Sequence, residues 1–441
     1  MTAVTALSRP TLTRVPIFAA AAAYVVALSW AMQRTSFDVW GGMIVLPALL
    51  AVTIPLVTRG ARQEGDVRMV RILSLAVVAK LVVGTLARYA VIFAVYGSGD
   101  AQGYDGAGRI IAAGLRQGSL DLTAGGGSKG TQAVNIITGL VYTVIGPTKL
   151  GGFLVFSWLA FLGLFLIYRA YRLAVPHGDH HRYALLLFFL PTILFWPSSL
   201  GKEAWLTFAL GVSIYGTARI FARRKGGFIV LAVGMWATAI VRPHLALLVF
   251  VGLAVGYLLR RSSARGSRLS AGKIVGVVVL LVVGVVVAGR FQSYFNLEEL
   301  DSTSVEGLLD RTAEQSTKGG SSYDAVSAAQ DPTAFPQAVL AVLFRPFPFE
   351  AGNVQALATS LEGVFLLSLF LSPRRLASGA RELLRTPFVA FSLTFTLLFV
   401  VAFSAIGNFG ILARQRSLVY PLLIVLVTLP IARREEAVAP G

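Results

Sequence analysis

The sequence predicts an all-α polytopic membrane protein with about twelve transmembrane helices. Three observations carry that prediction. Hydrophobic residues make up 56% of the 441 positions and charged residues only 14%, which is more apolar surface than a soluble fold can bury. The apolar residues fall into successive windows of about 20, the length that crosses ~30 Å of hydrocarbon. The basic residues collect in short clusters between those windows, the pattern that sets orientation in a bilayer.

The first window, 16 to 32, follows Arg9 and Arg14; its apolar core is too long for a typical cleaved signal and reads as a retained span. Spans are then expected at 39 to 57, 72 to 96, 151 to 173, 183 to 198 and 204 to 221. Six more follow at 227 to 241, 245 to 259, 274 to 291, 353 to 372, 387 to 407 and 417 to 432. Twelve crossings put the N- and C-termini on one side, and the charges name it: loops such as ARRKGG and RRSSARGSR gather most of the 39 lysines and arginines, so they face the cytoplasm. Most acidic residues fall on the other side. Two exterior segments are long. Residues 97 to 150 end in AVNIITGLVYTVIG, expected as a helix lying on the outer interface, and residues 292 to 352 end in AVLAVLFRPFPFEAG, whose prolines cannot continue a helix. The chain thus divides into two N-terminal spans (1–71), a core (72–260) and a C-terminal membrane region (261–441).

The net charge of +18 would suit nucleic acid in a soluble chain, but here orientation accounts for it and no nucleic-acid partner is expected. With no cysteine, disulfides, thiolate metal sites and cysteine nucleophiles are excluded.

The stretch FLPTILFWPSSLGKEAWLTFALGVSIYG interrupts an apolar run to display Lys202 and Glu203. Pro197 to Gly201 make an exterior turn, so both charges sit at the outer membrane face. Other exterior turns bring polar residues to the same level: Asp100 and Asp105, Arg242 and His244 in VRPHLA, Arg345 and Glu350 in FRPFPFE, and Arg414 and Arg416 in NFGILARQR. Charges near hydrocarbon are costly, so such a set points to function. Taken singly, Asp100 also reads as a helix N-cap, Lys202 with Glu203 as a local ion pair, and each arginine as an interface anchor. Lys80 and Arg88, eight apart within the third span, share one helical face that points into the bundle. HGDHH lies in a cytoplasmic loop and reads as solvated, so no metal ligand is assigned; GGGSKGT lacks the Gly-Lys-Ser/Thr order of a phosphate loop.

Cations and carboxylates beside apolar walls suit a substrate with a lipid tail, a phosphate and a sugar. Arginine and lysine would hold the phosphate, and a carboxylate would take the proton of an acceptor hydroxyl. A divalent metal remains compatible with this chemistry.

The order of these pieces resembles the GT-C superfamily of membrane glycosyltransferases that use polyprenyl-phosphate sugars. In that family the first core span is followed by an exterior acidic residue, an aromatic and a small-residue helix ending in Gly; here Asp100, Tyr104, Ala107 and Gly114 in DAQGYDGAGRIIAAG look like that set. VYTVIG, LIYRAYR, ALLLFFLPTILFW and the Arg-Pro of VRPHLA fall in the family's order, and its second acidic position falls on Glu203, here a Glu after Lys rather than an Asp before an apolar residue. The resemblance implies a GT-C-like fold over the core. It also implies transfer from a lipid-linked sugar to a glycan, lipid or protein hydroxyl outside the cell membrane, with Asp100, Asp105 or Glu203 catalytic and Tyr104, Lys202, Arg242 and His244 at the substrate. The C-terminal part, with LFRPFPFEA and NFGILARQRSLVYP, is similar to lipid-linked polysaccharide polymerases of the O-antigen type, which implies substrate contacts for Arg345, Glu350, Arg414 and Arg416. A transporter or flippase is the third expectation; it would carry its polar residues nearer the midplane.

Overall fold

The structure, a computed structural model, describes residues 14–97, 99–259, 321–383 and 385–430, with isolated positions between 284 and 316. Helix follows helix, and no strand occurs among the described residues. In chain order these are α1 (Arg14–Arg34), α2 (Phe37–Gln63), α3 (Val67–Val95), α4 (Asp100–Arg116), α5 (Lys129–Ile145), α6 (Lys149–Ala174), α7 (His180–Phe189) and α8 (Pro191–Phe195). They continue with α9 (Lys202–Phe221), α10 (Gly227–Ala239), α11 (Pro243–Leu258), α12 (Phe335–Leu343), α13 (Val354–Phe370), α14 (Pro373–Leu383), α15 (Pro387–Phe403) and α16 (Phe409–Leu423).

Four of these helices, α2, α3, α6 and α9, are long and apolar enough to cross a membrane, and α13 with α14 makes a fifth if that pair, bent by 66°, is one span. Side chains such as Val52, Leu56, Ile229 and Trp236 stand exposed, a surface that water would penalise and hydrocarbon would not. The chain is an all-helical membrane protein. Twelve full-length spans are not present among the described residues. The helices α10, α11 and α15 occupy three expected windows but run only 13, 16 and 17 residues. The span expected at 274 to 291 lies, apart from single positions, outside the described residues.

The window 183 to 198 is broken, for a local reason. Pro191 cannot donate a backbone hydrogen bond and pushes its predecessor out of the helical region; Leu190 sits at φ −59, ψ 127 and separates α7 from α8. The backbone groups freed there are met from other helices. Glu362 on α13 accepts from the Thr192 amide at 2.9 Å and its hydroxyl at 2.8 Å. The buried Nζ of Lys80 on α3 donates to the carbonyls of Ile193 at 2.8 Å and Leu194 at 3.2 Å. Such partners are what membrane depth demands of irregular backbone.

Small residues set the spacing around α9. A Cβ on Gly211 would lie 2.3 Å from the Gly163 carbonyl of α6, and one on Gly234 of α10 would lie 2.4 Å from the Ser213 amide. Backbones this close need glycine. The helix α9 is thereby fixed between α6 and α10, with Lys202 and Glu203 in its first turn.

Candidate functional site

Four helix starts meet at one place. The helix α4 begins after Gly99 with Asp100, and α9 begins after Gly201 with Lys202 and Glu203. The helix α13 begins on Asn353, and α16 on Asn408, whose side chain accepts the Ile411 amide at 3.1 Å. Gly99 and Gly201 have extended φ values of 174 and 167. Residues of all four starts line a cavity of about 350 Å³, together with Arg88 and Trp196. The positive ends of four helix dipoles therefore border it.

Arg414 organises the charges. Its two terminal nitrogens each donate to Asp100 Oδ2 at 3.2 Å. Its Nε lies 2.7 Å from Glu203 Oε1. The same Glu203 oxygen accepts from Arg242 at 3.3 Å, and Arg242 also donates to Gln415. Glu203 is buried, whereas the Asp100 side chain is 64% exposed. One acid is thus enclosed by guanidinium groups, and the other faces open space with Oδ1 making no hydrogen bond among the described residues. Tyr104 is buried against them, and burial first, then the charges of Asp100 and Glu203, pushes its phenol well up.

The remaining sequence-predicted residues sit apart from this cavity or at its edge. Asp105 accepts from the Tyr142 hydroxyl at 2.6 Å and from Arg109 at 3.0 Å, and Arg109 also holds Asp38 of α2, so this acid ties α4 to α5 and α2. Arg416 is fully buried and donates to the Val342 and Ala341 carbonyls at 2.7 and 2.9 Å and to that of Arg345, closing the end of α12. Arg345 pairs with Glu350 and lies over the stacked rings of Tyr323 and Phe409; its neighbour Pro346 lines the cavity. His244 is half-buried beside Phe403. Lys202 is half-buried near the carboxylates and makes no hydrogen bond or ion pair among the described residues. His180 and His181 of HGDHH bond the Val175 carbonyl and Asp66 respectively. No group of three or more His, Asp or Glu placed to hold a metal ion occurs among the described residues.

Several lining residues lie outside the set that the sequence marks as site residues, Arg88 and Trp196 among them. Arg88 was expected to face the bundle and does so, with its guanidinium 4.5 Å from the Trp196 ring and 5.0 Å from that of Phe195. Its signal was a cation inside a span. Trp196 carried no signal beyond its place at the end of an apolar run. Beside the charged cavity lies a second of about 670 Å³, walled mainly by apolar side chains of α3, α8 and α13. Tyr96, Trp196, Asn353, Gln355 and Thr359 border both. No family model, no curated protein and no solved structure matches the chain.

Proposed function

We propose that this chain is an integral membrane glycosyltransferase with a GT-C-like, twelve-span topology, both termini cytoplasmic and the site on the extracytoplasmic face. It moves a sugar from a polyprenyl-phosphate donor to the hydroxyl of a glycan, lipid or protein acceptor. The observation that carries this reading is an exposed carboxylate, Asp100, held by an arginine in a polar cavity that adjoins an apolar one. In the reaction the acceptor hydroxyl gives its proton to Asp100 while its oxygen bonds to the anomeric carbon. The bond from that carbon to the phosphate oxygen breaks with inversion, and the electron pair leaves with the lipid phosphate. Arg414 and the helix ends offset the charge that grows there. Glu203, enclosed by Arg414 and Arg242, positions the arginines.

The polymerase reading draws on Arg345, Arg414 and Arg416 together. Two of these spend their donors inside the protein, on Glu350 and on α12 carbonyls, which favours the transferase. The flippase reading needs deep polar groups available to cargo, whereas Lys80 and one oxygen of Glu362 are occupied by the backbone at the α7–α8 break. The test is transfer of radiolabelled sugar from a polyprenyl-phosphate donor by purified protein. Asp100→Asn should lower the rate by roughly 10²-fold or more with an unchanged unfolding temperature. Full activity in that variant removes the proposed base.

A further inference from the structure

Arg88 is 9% exposed, and its Nε and Nη1 have no hydrogen-bond partner among the described residues. A guanidinium so placed is costly unless something pairs with it. The rings of Trp196 and Phe195 cover its face and leave its edges to the cavity it lines, the presentation suited to a planar, paired contact with phosphate oxygens. Among the described residues, Arg88 and Arg414 line the cavity with Asp100 and Glu203, and four helix N-termini add to the positive side. Both carboxylates are engaged by Arg414, so Arg88 has no anionic partner among the described residues. The apolar cavity begins on the other side of Trp196, and its rim residues Val95 and Val354 are 71% and 85% exposed, so it opens where the surrounding surface meets hydrocarbon. Glu362, the one acid on its wall among the described residues, turns an oxygen to Thr192.

Resting on the reading above, we infer that Arg88 holds the phosphate of a single-chain lipid whose hydrocarbon lies in the apolar cavity, entering from the membrane between α3 and α13. Free phosphate would use Arg88 but has no need of the second cavity. The arrangement places the phosphate at the junction and the group esterified to it toward Asp100.

The experiment measures binding of undecaprenyl phosphate, undecaprenol and inorganic phosphate to the purified full-length protein in detergent, by native mass spectrometry. Arg88→Gln should weaken undecaprenyl phosphate tenfold or more and erase its advantage over undecaprenol, whereas Arg88→Lys should lose less. Ala358→Phe, on the exposed rim of the apolar cavity, should weaken both lipids. Inorganic phosphate at millimolar concentration should not displace the lipid. Unchanged affinity in both Arg88 variants, each with a wild-type unfolding temperature, overturns the assignment, as does displacement by inorganic phosphate with no effect of Ala358→Phe. Sugar transfer that persists unchanged in Arg88→Gln refutes this site and leaves the transferase standing. Arg88-dependent lipid binding without any sugar transfer by the wild type refutes the transferase and leaves the site.

Discussion

Arg414 and Asp100, 314 positions apart in the chain, meet through two hydrogen bonds of 3.2 Å to a single carboxylate oxygen. Because the Nε of the same guanidinium lies 2.7 Å from Glu203, one side chain relates an exposed acid to a buried one. The start of α16 is thereby fixed against the starts of α4 and α9.

Replacing Glu203 with Leu should destabilise the protein strongly. It removes the buried carboxylate that both Arg414 and Arg242 face and leaves Arg414 with Asp100 alone among the described carboxylates; breaking a buried pair costs about 3–5 kcal/mol, and the lower end applies because Asp100 still faces Arg414. The readout is the thermal unfolding midpoint in detergent. A midpoint equal to that of the wild type would mean that the pair holds nothing together.

The ends of apolar runs were readable as a site because a charge beside hydrocarbon needs a reason, and Asp100, Glu203, Arg242 and Arg414 do converge. Their roles were not readable where helical phase decides them. Arg414 and Arg416 look equivalent in RQR if that triplet is a turn. Asn408 starts α16 at Phe409 instead of 417, so the two arginines lie about 160° apart around a helix, one on the cavity and one on α12. The same holds for Asp100 and Asp105, about 140° apart on α4. The α7–α8 break was hidden in a plain apolar window, since only the tertiary partners Lys80 and Glu362 make it tolerable at that place.

Gly211→Val should disturb the site from a distance. The added side chain would meet the Gly163 backbone inside 3 Å, and neither backbone can yield without moving α9 away from α6. Overpacking of this kind costs about 1–3 kcal/mol. Thermal unfolding should report that loss, and transfer activity should fall with it because α9 carries Glu203. The idea is wrong if the variant unfolds at the wild-type temperature.

The Arg345–Glu350 pair lies outside the spans and predicts a pH dependence. Hydrogen bonding from Arg345 first, opposed by some burial and helped by the Phe347 amide at 2.7 Å, holds the Glu350 carboxyl below the usual range. A depressed folded value means that the stabilisation is complete above the unfolded pKa of about 4.3 and is lost as pH falls through the lower folded value. Unfolding temperatures measured from pH 7 down should therefore drop faster in the wild type than in Glu350→Gln. Parallel curves would exclude the pair as a source of acid sensitivity.

Asp105→Asn separates structure from chemistry on the same helix that carries Asp100. Asp105 accepts from Tyr142 at 2.6 Å and from Arg109 at 3.0 Å. An amide can still accept from the phenol, but it turns a donor or a neutral oxygen toward Arg109. A hydrogen bond to a charged group contributes about 1.5–3 kcal/mol, and the lower end applies because Arg109 is about a third exposed. The variant should unfold earlier, yet its rate per folded molecule should stay within a few-fold of the wild type, because this carboxylate faces α5 and α2 rather than the cavity. Asp100→Asn should do the reverse, keeping stability and losing transfer. If Asp105→Asn abolishes transfer in folded protein while Asp100→Asn does not, the base sits on the other face of α4, and the cavity beside Arg414 is not where the proton is taken.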